Sequence, residues 1–248
     1  MLSGRTGTLG AVLVSVLLVS CKAVTEDRRE CPCTLSVKWE AQPAYPAALY
    51  VNGRAAARVQ RDTVLRVWVE KGGMAAVTAV SGAEPDGDMA VRIPYGLQAP
   101  ALYAQQLQVD CRGEQARTAV HMRKHFCLLE IRFSQPPDWL TAVAIRGSAN
   151  GFSLAGGRPL EGPFYCRLDG MHSCRIPRHR PGDPLWLDLV LEDRVLRSFP
   201  LGTYLEAAGY DWTAADLADI SLEVDISVTD IGFHFDEWSR QESLEIII

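Results

Sequence analysis

Alternation of apolar and polar side chains dominates the chain from residue 34 onward. Leu35, Val37 and Trp39 alternate with polar neighbours, which is the period of a half-buried β-strand. The same period recurs at residues 65–69, 129–133, 185–191 and 220–226, and residues 74–80 are a further strand candidate. Many short strands with frequent turns are typical of β-sandwiches and not of a parallel α/β sheet. We therefore predict an all-β chain.

Turn signals separate the predicted strands. Asn52-Gly53 is a residue pair of two-residue hairpin turns, and Gly72-Gly73 predicts a second turn. Residues 100–110 fit either a strand or a short helix, and residues 117–133 read as one strand with a bend near His125. In the second half of the chain, residues 202–217 are the one segment where the sequence allows a short helix.

Two consecutive prolines interrupt the pattern at Pro136 and Pro137, so we place a domain boundary there. The prediction is an N-terminal β-sandwich over residues 34–134 and a C-terminal β-sandwich over residues 135–248. The strand candidates of the second half are 140–145, 164–168, 185–191, 195–199, 220–226, 231–235 and an apolar terminal strand, 243–248.

The N-terminus has the pattern of an export signal. Arg5 precedes an apolar run over residues 9–19, which is too short for a membrane-spanning helix of about 20 residues. Residues 18–21 (Leu-Val-Ser-Cys) resemble the lipobox of bacterial lipoproteins. The resemblance implies a signal peptide over 1–20, cleavage before Cys21, and lipidation of Cys21, with residues 21–33 as a tether. Lys22 stands where an inner-membrane retention signal would have aspartate, so we expect a lipid anchor in the outer membrane, facing the periplasm or the cell surface.

Seven cysteines are present, and six remain if Cys21 carries the lipid. In an oxidising compartment six cysteines allow fifteen pairings. Cys166 and Cys174 flank a turn-like stretch and are the favoured disulfide, and Cys111 with Cys127 is a plausible second pair. A bridge between Cys31 and Cys33 would be strained. Cys166, His172, Cys174 and His179 have ligand-type side chains but no common zinc spacing, so we predict no metal and no cofactor.

The sequence carries no motif of a known catalytic site, such as a nucleophile elbow or a phosphate-binding loop. The acids at Asp216, Asp219, Glu223 and Asp225 are interpreted as a solvated strand face and not as a glycosidase pair. A net charge of −5 gives no broad attraction for nucleic acid. We predict a protein that is not an enzyme and has no nucleic-acid partner. Asp62-Thr63-Val64 resembles a short O-glycosylation motif, which makes Thr63 a candidate acceptor.

Sequence patches in the second half resemble a known family. They are Phe199–Tyr204, Gly209–Trp212, Leu217–Asp225 and Asp236–Trp238. Together with the lipobox, the charged tether and Cys31-Pro32 before the first strand, they resemble the FimB-like anchor subunits of type V fimbriae. The resemblance covers both ends of the chain, whereas residues 41–116 carry no recognised motif.

The resemblance implies two β-sandwiches of transthyretin-like Greek-key type. It also implies a lipid-anchored minor subunit that attaches a fimbria to the outer membrane and limits its growth, with fimbrial stalk subunits as partners. Such subunits join by strand addition, in which an extended segment completes the sheet edge of a neighbour. Leu244, Ile246 and Ile248 form a possible donor strand; the favoured alternative is that they belong to the last strand of their own domain.

A second function stays open from the sequence alone. A surface lipoprotein of similar fold could bind a glycan or another ligand through its loops. The aromatic candidates are Trp68, Tyr165, Trp186 and Trp212, each of which is more often a core residue than a ligand contact.

Overall fold

The computed structural model describes residues 31–39, 46–61, 63–134, 140–170, 173–226, 231–235 and 246–247. The strands of the first half are β1 (Cys33–Trp39), β2 (Ala47–Val51), β3 (Arg54–Val59), β4 (Val64–Val69), β5 (Met74–Ser81), β6 (Ala90–Arg92), β7 (Tyr103–Asp110), β8 (Gln115–Val120) and β9 (Arg123–Lys124). Those of the second half are β10 (Phe126–Phe133), β11 (Ala142–Ser153), β12 (Arg158–Leu168), β13 (Ser173–Pro177), β14 (Leu185–Leu191), β15 (Arg194–Phe199), β16 (Ile220–Ile226), β17 (Ile231–Phe235) and β18 (Ile246–Ile247). The one helix described, α1, spans Leu201–Ala207.

Four sheets form two layered pairs. In the first half, the sheet β4-β1-β8 faces the sheet β3-β2-β5-β7-β9 across a shared apolar core. In the second half, the sheet β13-β10-β16-β17-β18 faces the sheet β12-β11-β14-β15, which also pairs with β6. The prediction of an all-β fold built from sandwiches is confirmed.

The two halves repeat one topology. In each half the first strand is central in its sheet, with an antiparallel neighbour on one side and a parallel neighbour on the other: β4 and β8 flank β1, and β13 and β16 flank β10. The orders β3-β2-β5-β7 and β12-β11-β14-β15 also correspond strand for strand. The space between strands β3 and β4, which lie in opposite sheets, therefore corresponds in topology to the space between β12 and β13.

The alternating pattern explains which faces are buried. Leu35 and Val37 on β1 lie wholly inside the first core, and Leu187 and Leu189 on β14 lie wholly inside the second. Asn52, with a φ of 50°, and Gly53, with a φ of 76°, form the hairpin turn between β2 and β3 that the sequence predicts. The ambiguous segment 100–110 contains β7 and not a helix.

Residues 117–133 differ from the prediction of one bent strand. They contain the end of β8, then β9, then β10, and these three strands belong to three different sheets. Near His125 the chain passes from a sheet of the first sandwich to a sheet of the second. Strand β10 therefore hydrogen-bonds to β13 and β16, although it precedes the predicted domain boundary at residue 135. Strands β6 and β13 were absent from the prediction because each is short.

Helix α1 begins one residue before the segment where the sequence allowed a helix and covers the first part of that segment. Leu201 and Leu205 are buried in the second core, one turn apart on the same helix face. Gly209, with a φ of 85°, follows the helix and lets the chain turn toward Tyr210. In the part of the chain that the structure describes, no helix combines the length and the apolar character needed to cross a bilayer.

Candidate functional site

An open side of the first sandwich is the candidate functional site. Among the described strands, β3 pairs only with β2, and β4 pairs only with β1, so each has one edge without a neighbouring strand. The two strands follow one another in the chain and lie in opposite sheets on the same side of the sandwich. We call the space between these edges the β3/β4 groove.

The groove is large enough for an extended segment. Its volume is about 620 Å³. The lining residues are Val51, Asn52, Arg54, Ala55, Ala56, Val67, Trp68, Val69 and Glu70. Pockets of about 300–1,000 Å³ hold drug-sized ligands, so this groove has room for several side chains of a bound segment.

The core beneath the groove is incompletely covered. Leu65 and Val67 on β4, and Val51 and Ala57 on the opposite side, pack against the first core but remain only partly buried. Trp68 is 82% exposed, the highest value among the exposed large hydrophobic side chains described. An added strand would bury these side chains, and fully burying one large apolar side chain contributes about 2 kcal/mol.

The corresponding groove of the second sandwich is already filled. Residues 93–102, which connect β6 to β7, run between β12 and β13, with a turn over residues 94–97 that is closed by a hydrogen bond from the Leu97 amide to the Pro94 carbonyl at 3.1 Å. Ile93 and Ala99 are buried in the second core at 5% and 2% exposure. This connecting segment supplies apolar side chains that the strands of the second half do not provide.

Hydrogen bonds hold the connecting segment to both edges. On the β12 side, the Gly96 amide donates to the Tyr165 carbonyl at 3.1 Å. On the β13 side, the Ala99 amide donates to the Arg175 carbonyl at 2.9 Å, and the Arg175 Nε donates to the Ala99 carbonyl at 2.8 Å. One groove of the repeated topology thus receives a segment of its own chain, whereas its counterpart, the β3/β4 groove, is open.

Comparison with solved structures places this architecture among known folds. The fimbrial anchor protein Mfa2 from Porphyromonas gingivalis aligns with a TM-score of 0.55 and 11% identity, over 84% of this chain and 98% of its own. A candidate adhesin from Bacteroides ovatus aligns with a TM-score of 0.54 and 11% identity, over 86% and 95%. The chain has the fold of a fimbrial anchor protein.

That shared fold confirms the resemblance drawn from the sequence patches at the level of architecture. At 11% identity the similarity concerns the fold alone. No protein-family model matches the sequence, and no curated protein matches it.

The cysteines form two neighbouring pairs in the structure. Cys166 on β12 and Cys174 on β13 are near enough to shift each other's pKa, and both are free thiols, so the favoured disulfide stays a prediction. Their interaction lowers the pKa of Cys166 and, together with burial, raises the pKa of Cys174. Cys111 has a different neighbour from the predicted one, because Cys33 is buried in the same core and, in addition to burial, raises the pKa of the Cys111 thiol.

Cys111 and Cys127 belong to different cores. Cys111 is buried in the first sandwich, whereas Cys127 is buried in the second, where it is hydrogen-bonded to Tyr210. The geometry therefore does not favour the second predicted pair. The sequence gave no signal for a pair of Cys33 with Cys111, since the two residues are far apart along the chain.

Other predicted site residues have separate locations. Thr63 is exposed at the start of β4, and its carbonyl accepts a hydrogen bond from the Trp39 amide at 3.0 Å. Cys21 and Leu244 lie outside the described residues, as do Ile248 and His172. The backbone of Ile246–Ile247 pairs antiparallel with β17, which places it in a sheet of its own chain.

The aromatic candidates separate into exposed and buried groups. Trp212 is core, at 3% exposure, and its ring packs edge-on against Tyr210 at 4.7 Å. Tyr165 and Trp186 lie half-buried on the outer face of the second sandwich, where the Tyr165 ring stacks on Tyr95 at 5.1 Å. Trp68 alone of the four candidates lines the β3/β4 groove.

Two of the acidic candidates have structural partners. Asp216 accepts a hydrogen bond from the Lys124 amide at 2.8 Å, and Asp219 accepts one from the Leu128 amide at 2.7 Å. Asp219 also pairs with the Lys124 ammonium at 2.6 Å. These carboxylates attach the segment before β16 to the strands β9 and β10.

Proposed function

We propose that this chain is a lipid-anchored subunit of a fimbria, which attaches the fibre to the outer membrane and limits its growth. The observation that carries the proposal is the open β3/β4 groove, whose counterpart in the second sandwich is filled by residues 93–102. The fold shared with a fimbrial anchor protein supports it.

Strand addition is the binding mode that the groove favours. A stalk subunit would supply an extended segment whose backbone pairs with β3 or β4 and whose alternate side chains enter the groove. Arg54 on β3 and Arg66 on β4 are exposed on these strands, whereas Arg58 on β3 is paired with Glu84 at 2.7 Å and Glu70 lines the groove. Charged residues on an edge strand discourage indiscriminate sheet pairing.

Lipidation of Cys21 would complete the anchor. Multiple acyl chains hold a protein to a bilayer where a single chain does so only weakly. Because the first described strand begins at Cys33, the tether is short, and the first sandwich would lie close to the membrane surface.

The first test compares the native lipoprotein with Cys21→Ala in purified outer membranes. We expect fimbrial subunits to co-purify with the native protein, and we expect the variant to shed long fibres into the medium. If the native protein is found in the outer membrane alone, and fibres are unchanged when Cys21 is lost, the anchor proposal is rejected.

A second test addresses the groove while keeping the lipid. Ala56 is exposed and lines the groove, so Ala56→Trp would fill it without disturbing the core. The matched control is Ala207→Trp, at an exposed position at the end of α1. We expect Ala56→Trp to reach the membrane and fail to retain fibres, and Ala207→Trp to retain them. If both variants retain fibres equally, the groove is not the site that binds the fibre.

A ligand-binding role is the second candidate function. The supporting observation is a row across three strands of the second sandwich, in which Arg146 on β11 lies between Tyr165 on β12 and Trp186 on β14. Aromatic rings next to a charged group suit a sugar, which offers apolar ring faces and hydroxyls. A glycan array with native protein and Tyr165→Ala tests it: binding that the substitution abolishes supports this role, and no binding by the native protein opposes it.

A further inference from the structure

Two cysteines that lie far apart in the sequence meet inside the first sandwich. Cys33 is the first residue of β1, and Cys111 follows the last residue of β7. These strands belong to opposite sheets. Both side chains are buried in the same core, at 0% and 1% exposure, and Cys33 is near enough to Cys111 to raise, in addition to burial, the pKa of its thiol.

The backbone fixes both positions. The amide of Thr34, next to Cys33, donates to the Glu114 carbonyl at 2.9 Å, which holds the start of β1 beside the start of β8. The Cys111 amide donates to the Gly73 carbonyl at 2.8 Å, at the turn before β5. Because hydrogen bonds hold the backbone at both cysteines, the fold itself, and not only the side-chain rotamers, places the two thiols close together.

We propose that Cys33 and Cys111 form a disulfide in the exported protein, and that this bond secures the strand nearest the lipid to the opposite sheet. The bond would join the two layers of the first sandwich. Cys166 on β12 and Cys174 on β13 would join the two layers of the second in the same way.

The reaction is a thiol–disulfide exchange. One cysteine thiolate attacks a disulfide of the oxidant, a dithiol oxidoreductase or a small disulfide such as oxidised glutathione, and releases one oxidant thiol. The second cysteine thiolate attacks the mixed disulfide, forms the sulfur–sulfur bond between Cys33 and Cys111, and releases the second oxidant thiol. The two cysteines lose two protons and two electrons, and the oxidant gains them.

The position of the bond gives it a mechanical role, and this part of the inference rests on the proposed anchor function. A fibre pulled away from the membrane would load the chain through the tether that precedes β1. Strand β1 is central in its sheet, between β4 and β8, so its removal would break both pairings. A covalent bond at its first residue would pass the load to the opposite sheet before β1 separates.

The chemical test uses the full lipoprotein, exported and solubilised in detergent. Free thiols are alkylated with iodoacetamide in denaturant, the protein is reduced, and the newly released thiols are alkylated with N-ethylmaleimide before peptide mass spectrometry. We expect Cys33 and Cys111 to carry the second label, and an unreduced digest to contain one peptide pair joining them. The first label on both residues, or a bond from Cys31 to either of them, would overturn the proposal.

A stability test separates the bond from simple packing. Cys111→Ser should lower the unfolding temperature relative to native protein without reductant, and the difference should shrink in dithiothreitol because native protein then loses the bond too. Cys127→Ser is the control, since Cys127 is buried and hydrogen-bonded to Tyr210; its effect should not change with reductant. An effect of Cys111→Ser that is equal with and without reductant would contradict the bond.

A mechanical test examines the role of the bond. When single molecules are unfolded from their two ends, the oxidised protein should extend by roughly 270 Å less than Cys111→Ser, because the segment from Cys33 to Cys111 stays closed. Equal extensions would overturn the mechanical role. This readout needs no fimbria, so its failure is distinguishable from failure of the anchor proposal.

Discussion

The guanidinium of Arg178 donates a hydrogen bond at 2.9 Å to the backbone carbonyl of Lys124. Lys124 ends β9, which pairs with β7 of the first sandwich, and Arg178 directly follows β13 of the second. The same guanidinium donates to the carbonyls of Trp212, Ala214 and Ala215 at 2.7–3.1 Å. One buried cation thereby connects the two sandwiches and the segment before β16.

Replacing Arg178 with methionine should destabilise the protein strongly. Methionine keeps the length of the side chain but leaves the carbonyls of Trp212, Ala214 and Ala215 without this donor, whereas the Lys124 carbonyl keeps the Leu217 amide at 3.3 Å. We expect a loss of about 3 kcal/mol in the free energy of unfolding. Urea unfolding of native protein and Arg178→Met measures it. The control is Arg112→Met, at an exposed ion pair with Asp110, which should cost less than about 0.5 kcal/mol. Similar losses in the two variants would contradict a special role for Arg178.

Sequence reasoning could find the strands but not this junction. The alternation of Leu35, Val37 and Trp39 with polar residues predicts β1, because one face of this strand is buried and the other is exposed. Arg178 follows a proline in a polar stretch and has no periodic signal. Its partners are backbone carbonyls, which every residue carries, so no side-chain pattern could identify them.

The candidate site was predictable only in part. The exposed Trp68 was visible as an aromatic residue on the face opposite Leu65 and Val67, but the alternation cannot show whether a sheet edge has a neighbour. The open groove follows from long-range pairing of β3 and β4. Its filled counterpart depends on residues 93–102, which have no periodic pattern and contain two prolines.

Acid should weaken the protein through His125. Burial, followed by the positive charge of Arg178, lowers the pKa of His125 to about 4, although a bond to the Ala104 carbonyl and the charge of Asp216 act in the opposite direction. The unfolded chain, with a histidine pKa near 6.5, binds the proton more readily than the folded one. The stabilising contribution is therefore complete above about pH 6.5 and is lost as the pH falls toward 4.

The size of this effect is about 2 kcal/mol between pH 7 and pH 5. His125→Phe keeps a ring against Phe152, whose centroid lies 3.9 Å from that of His125, and removes the titrating group. We expect urea unfolding at the two pH values to show a smaller loss for the variant than for native protein. A residual loss is expected because burial also lowers the pKa of His179. Identical pH dependence in both proteins would contradict the assignment to His125.

A second buried charge depends on its partner. Asp188 on β14 is 1% exposed and accepts two hydrogen bonds from Arg146, at 2.6 and 3.2 Å. Arg146→Met would leave this carboxylate buried without its cation, so we expect a loss of about 2 kcal/mol, reduced from the fully buried case because Arg146 is partly exposed. The double variant Arg146→Met with Asp188→Leu should recover part of that loss, since it leaves no unpaired charge. If the double variant is no more stable than Arg146→Met alone in urea unfolding, the pairing is not the cause.

Thiol reactivity should differ sharply among the cysteines of the reduced, folded protein. Burial, with the charge of Cys33 as the next cause, raises the pKa of Cys111 to about 11, and burial raises the pKa of Cys127 to about 12. The thiolate is the reactive form, and at pH 8 only about one Cys111 side chain in a thousand would be deprotonated to the thiolate. Cys31 is exposed, and we expect iodoacetamide to label it first and Cys111 and Cys127 last, as measured by site-resolved mass spectrometry. In urea the differences should disappear. Labelling of folded Cys111 at the rate of Cys31 would show that the first sandwich opens locally, and the disulfide could then form after folding. Slow labelling would mean that Cys33 and Cys111 are oxidised before folding is complete.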